Sequence, residues 1–129
     1  MKLALYSEVS GDQPVKERKW FVEEHLVSWD LGSPLPVDFV AIIKLARRNA
    51  EQEVGSAVRL HQISLTKVGS LNEDQAYFYW VYFHAADEQK EGVSLAIDLF
   101  GNIIEPEVRF FEDNEAYSRY AYSSLHADD

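Results

Sequence analysis

Ala76-Tyr77-Phe78-Tyr79-Trp80-Val81-Tyr82-Phe83-His84-Ala85 is the stretch on which the fold turns. It has no glycine or proline and is rich in aromatic side chains, which suits an extended strand. Strand alternation sends Phe78, Trp80 and Tyr82 to one face and Tyr77, Tyr79, Val81 and Phe83 to the other. Both faces are apolar or aromatic, as expected of a central strand rather than an edge.

Downstream, Ala86 to Gly92 carries Asp87, Glu88, Lys90 and Glu91 and reads as a loop. Val93 to Phe100 then returns as a strand with Val93, Leu95, Ile97 and Leu99 on one side and Ser94, Ala96 and Asp98 opposite. Gly101-Asn102 predicts a tight turn, after which Ile103 to Phe111 pairs back. Pro106 cannot donate to a ladder, so it belongs at an edge or a bulge.

Upstream, Gly69 to Gln75 is polar and predicts a hairpin loop. Ser56 to Val68 reads as a strand whose apolar phase slips from Val58 and Leu60 to Ile63 and Leu65. A one-residue slip predicts a bulge near His61 and Gln62. From Val37 to about Glu53, Phe39, Ile42, Ile43, Ala46 and Ala50 repeat at helical spacing, and Gly55 ends the run. Leu31 to Pro36 breaks the chain ahead of this helix, with Ser33 suited to capping it.

The fold class that follows is α+β, a helix packed on a four-stranded antiparallel meander. One domain over residues 1–129 is expected, with an N-terminal segment 1–32, a helix-and-sheet body 33–111 and a polar tail 112–129. Within the tail, Tyr117, Tyr120 and Tyr122 are spaced for a short helical turn. The N-terminal segment has two readings. As a helix, Val15, Val22, Leu26 and Trp29 share a face; as a strand, Phe21, Val27 and Trp29 do, with Glu23 and His25 interrupting. The helix is the expectation.

With 47% hydrophobic residues in 129, the chain has material for one core. A net charge of −10 repels phosphate backbones and anionic lipid heads, so neither nucleic acid nor a membrane is an expected partner. There are no cysteines, which removes disulfides and thiolate chemistry. The opening Met1 to Glu8 is too short for a signal-peptide core and no run approaches membrane-spanning length, so a cytoplasmic location is expected.

No catalytic signature is present. His25, His61, His84 and His126 show no metal-ligand spacing, no serine sits in a nucleophile elbow and no glycine-rich phosphate loop precedes a helix. Neither metal nor cofactor is expected, and an enzyme is the lesser expectation. His61 and His84 would meet across the sheet if their strands pair; the plainer reading of each is a partly exposed strand histidine. Asp98 interrupts an apolar strand beside a turn. It can accept turn N–H groups or serve as an acid in a cleft. One helix covers one face of a sheet, so Phe78, Trp80 and Tyr82 are either hidden by the terminal segments or form a partner surface with His84. Phe78, Trp80, Tyr82, His84 and Asp98 are therefore the candidate binding residues.

The Ala41-Ile42-Ile43-Lys44-Leu45-Ala46-Arg47 helix, the strand Val58 to Leu65, the aromatic run Tyr79 to Phe83 and the strand-turn-strand Val93 to Ile104, with Asp98 before Gly101, resemble the PepSY family and related cystatin-like domains. The resemblance spans about Val37 to Pro106. It implies a non-enzymatic module that binds or inhibits. The aromatic face with its acidic rim separately makes a basic protein, or a second copy of the chain, the expected partner. Two further roles fit such a chain: an immunity protein that blocks a toxin, and a small NTF2-like or cystatin-like domain with a helix–sheet cavity for a ligand or a reaction.

Overall fold

The computed structural model describes residues 6–11, 13–22, 27–29, 32–68 and 76–126. Along the chain run β1 (Tyr6–Ser10), β2 (Val15–Trp20), β3 (Val27–Ser28), α1 (Phe39–Val54), β4 (Val58–Val68), β5 (Ala76–Ala85), β6 (Val93–Ile97), β7 (Ile103–Ile104), β8 (Glu107–Phe111) and α2 (Asn114–His126). They form two compact units, one spanning Val22–Glu105 and the other joining β1 and β2 to β8 and α2. The α+β class is as expected from the sequence. No described helix is long and apolar enough to cross a membrane.

In the Val22–Glu105 unit, β4, β5, β6 and β7 pair antiparallel in that order, and β3 joins β5 at Ala76 and Tyr77. β5 is central, with β4 along one edge and β6 along the other. Its odd-numbered face meets α1: Tyr79, Val81 and Phe83 are wholly buried with Ile42, Ala46 and Ala50 of the helix. Opposite them in register, Ile97, Leu95 and Val93 extend the same core across β6. Burying each such large side chain contributes roughly 1.5–3 kcal/mol. Trp29 packs edge-on against Tyr77 at 5.4 Å between ring centroids, adding to this side of the sheet.

The helix begins later than the sequence predicts and takes another cap. Asp38, extended at φ −75° and ψ 160°, accepts the Ala41 N–H at 2.8 Å, so its carboxylate, not Ser33, satisfies the first turn. Gly55 ends α1 in the left-handed conformation, φ 80°, with its N–H donated to the Glu51 carbonyl. The bulge is where the apolar phase places it: register shifts between Leu60 and Gln62, after which Ile63 and Leu65 face inward opposite Val81 and Tyr79. Ile103 to Phe111, read as one strand, is two. Pro106 falls between β7, which stays in this sheet, and β8, which does not.

The other unit is a three-stranded antiparallel sheet in the order β1-β2-β8. The helix expected over Val15 to Trp29 is not formed: Val15 to Trp20 is β2, with β1 on one edge and β8 on the other. Val15, Glu17 and Trp20 are buried there. The tail forms a longer helix than a single turn. Asp113 starts α2 by accepting the Ala116 N–H at 2.9 Å, and Phe111 packs against Tyr117 and Tyr120. The expected 69–75 loop and His25 lie outside the described residues.

Candidate functional site

The even-numbered face of β5, opposite α1, grades from inside to outside. Phe78 is wholly buried, Trp80 and Tyr82 are half-buried, and His84 is exposed. The β6 neighbours of Trp80 and Tyr82 are small. Trp80 lies between Ser64 of β4 and Ala96 of β6, and Tyr82 is opposite Ser94.

The β4 bulge supplies a further ring at the exposed end. The extra residue in β4 turns His61 onto the same face as Tyr82 and His84. The His61 and His84 ring centroids are 4.4 Å apart, with Tyr82 5.6 Å from His61 and 5.0 Å from His84, all edge-to-face. Both histidines are exposed, so the cluster presents imidazole edges to solvent. The spacing and burial of Tyr82 depend on Gly92. A Cβ there would sit 2.8 Å from the Tyr82 hydroxyl and collide with the Phe83 carbonyl oxygen.

Beside this cluster lies a groove of about 520 Å³ lined by Arg59, Leu60, His84, Ala85, Ala86, Glu88, Lys90 and Gly92. Arg59 is the register partner of His84. Two cations, one acid and an imidazole thus line the groove at the end of the sheet. Asp87, Glu88 and Glu91, all exposed, make the adjoining β5–β6 connection acidic.

Asp98 is not part of this cluster. Ile97 pairs with Tyr79, which puts Asp98 level with Phe78 and about 20 Å along the strand from His84. Its Oδ1 accepts the N–H groups of Phe100 and Asn102, each at 2.9 Å, and its Oδ2 accepts Asn102 Nδ2 at 3.1 Å. Gly101 closes the turn at φ 89°, donating to the Asp98 carbonyl. The carboxylate of this 7%-exposed residue is occupied in holding the turn.

A polar cluster that the sequence reading missed sits in the three-stranded unit. Lys19 Nζ and Arg109 Nη1 both donate to the Tyr120 hydroxyl, at 3.0 and 2.7 Å. Buried Glu17 has Lys19 Nζ 3.7 Å from its Oε1 and hydrogen-bonds Tyr117. The Tyr120 bond, with a further pull from Glu17 and some opposition from burial, raises the Lys19 pKa. Burial, and then the charge and hydrogen bond of Glu17, raise that of Tyr117. The arrangement ties α2 to the sheet. Val15, Glu17 and Lys19 share one strand face, but only Val15 of them is apolar, so the sequence has no alternation that would reveal it.

Among the described residues no group of three or more His, Cys, Asp or Glu gathers in a way that would hold a metal ion. Comparison with protein-family models, with curated proteins and with solved structures finds no match.

Proposed function

We propose that the chain is a non-enzymatic, PepSY-like protein-interaction domain whose contact surface is the exposed end of the even face of β5, centred on Tyr82, His84 and His61. The observation that carries this reading is the gradient along one strand face, from a fully buried Phe78 to an exposed His84 beside a groove. Clustered aromatic and imidazole rings give contact area at a low cost in side-chain entropy. The net charge of −10 and the acidic Asp87, Glu88 and Glu91 beside the cluster suit a basic protein partner. Between α1 and the sheet, the space that a cavity-based ligand binder or enzyme would use is filled by Ile42, Ala46, Tyr79, Val81 and Phe83. A surface role fits that packing better.

The test begins with solution mass by light scattering and capture of a basic partner at low salt. The captured protein is then titrated against the wild type, Tyr82→Ala and His84→Ala. The reading requires both variants to stay folded, melting cooperatively within a few degrees of the wild type, while losing binding, and wild-type binding to weaken as salt rises. Unchanged binding in folded variants would remove the assignment. A stable dimer broken by the same substitutions would assign the surface to self-association instead.

A further inference from the structure

We infer that His61 and His84 form a two-imidazole chelating site for one divalent transition-metal ion. The inference stands apart from the interaction reading, because it depends only on the two rings and their mounting.

Three observations carry it. First, the pair is built by the fold. The bulge between Leu60 and Gln62 brings a residue of β4 beside the ring of a residue of β5, with centroids 4.4 Å apart. Imidazole nitrogens bind zinc at about 2.0–2.1 Å, so two nitrogens on a tetrahedral ion lie about 3.3 Å from each other. The rings now meet edge-to-face, so binding requires them to turn about their side-chain torsions until one nitrogen of each faces the ion. Second, both rings are exposed, so the ion enters from solvent and water completes its coordination. Third, Tyr82 packs edge-to-face against both rings and is itself seated over Gly92, so the two histidines share one fixed neighbour. Two side chains packed on a common ring lose less freedom on binding than two free ones.

The chemistry of the donors selects the metal. Neutral imidazole suits zinc, nickel and copper rather than magnesium or calcium, which take oxygen ligands. No third protein ligand joins the pair among the described residues, so the site is an open one with affinity set by two nitrogens. Arg59, across the ladder from His84, is exposed, and solvent screens its charge from the ion.

The test titrates Zn2+ into the full chain by calorimetry. To remove competition from the other histidines, the starting protein carries His25→Gln and His126→Gln. One ion is expected to bind per chain, and adding either His61→Gln or His84→Gln should weaken binding about tenfold or more, equivalent to roughly 1.4 kcal/mol. Circular dichroism checks that each variant is folded. The magnesium ion, titrated alone, should give no heat of binding at this site. No zinc binding by the starting protein at about 100 µM, or zinc binding unchanged by the His61 and His84 substitutions in folded protein, would overturn the inference.

Discussion

Gly92 lies directly beneath Tyr82: a methyl group at position 92 would stand 2.8 Å from the tyrosine hydroxyl, and the Phe83 carbonyl oxygen leaves it no room on the other side. The lack of a side chain there permits the ring at 82 to lie down over the start of β6. Gly92→Ala should therefore destabilise the protein by about 1–3 kcal/mol through overpacking. Gly32→Ala is the control, because nothing stands within 4 Å of its added carbon. Thermal or urea unfolding of the two variants gives the comparison, and equal stabilities would mean that Tyr82 is not seated as described.

Phe78 and Tyr82 share a strand face but not a role. Phe78 is wholly buried, and Phe78→Ala should cost about 3–5 kcal/mol. Tyr82→Ala and His84→Ala, nearer the exposed end, should each cost about 1 kcal/mol or less. Urea unfolding of the three variants measures the gradient. A Tyr82→Ala loss as large as that of Phe78→Ala would make the exposed end part of the core and leave no separable contact surface.

Much of the Val22–Glu105 unit was legible because its signals are local. Aromatic alternation in β5, the 3.6-residue period of α1 and the phase slip at His61 each report on their own few residues, and all three match the structure. The sequence Val15-Lys16-Glu17-Arg18-Lys19-Trp20 has no apolar alternation of its own. It is a strand because β1 and β8 flank it, and β8 is contributed by residues far along the chain. Pro106 marks an edge or bulge in the sequence, but the end of β7 there and the switch of β8 to another sheet depend on strand pairing that no local signal reports. Of the candidate site, Tyr82 and His84 come together with His61 as their strand positions allow. Asp98 is held at the other end of β6 by its turn, an arrangement that its position before Gly101 did foreshadow.

The Asp98 turn should respond to chemistry more than to size. Asp98→Ala leaves the N–H groups of Phe100 and Asn102 without their acceptor in a partly buried turn, at a cost of about 2–4 kcal/mol. Asp98→Asn keeps an oxygen for those two donors but sets an amide NH2 against Asn102 Nδ2, so the loss should be about half as large. Chemical denaturation ranks the pair. Equal losses would mean that the carboxylate's second oxygen does the holding.

Alkaline conditions should loosen the fold through three groups that it keeps protonated. Lys19 is raised above its ordinary 10.5, first by its bond to Tyr120 and also by Glu17, against an opposing effect of burial. Tyr117 is raised above 10.0 by burial and then by Glu17, and Tyr79 is raised above 10.0 by burial and then by the charge of Asp38. A raised value in the fold means that the folded chain holds the proton more tightly than the unfolded one. Each stabilising contribution is thus complete below the unfolded value and is lost as pH rises through the folded value. The melting temperature should accordingly be insensitive to these groups near pH 8 to 9 and fall beyond about pH 10. Tyr120→Phe removes the acceptor that raises Lys19, and Tyr117→Phe removes a titrating hydroxyl, so each should make the alkaline fall shallower. Melting curves from pH 8 to about 11.5 measure the slopes. Falls as steep as that of the wild type in both variants would show that the contacts of Glu17, Lys19 and the two tyrosines do not form in solution.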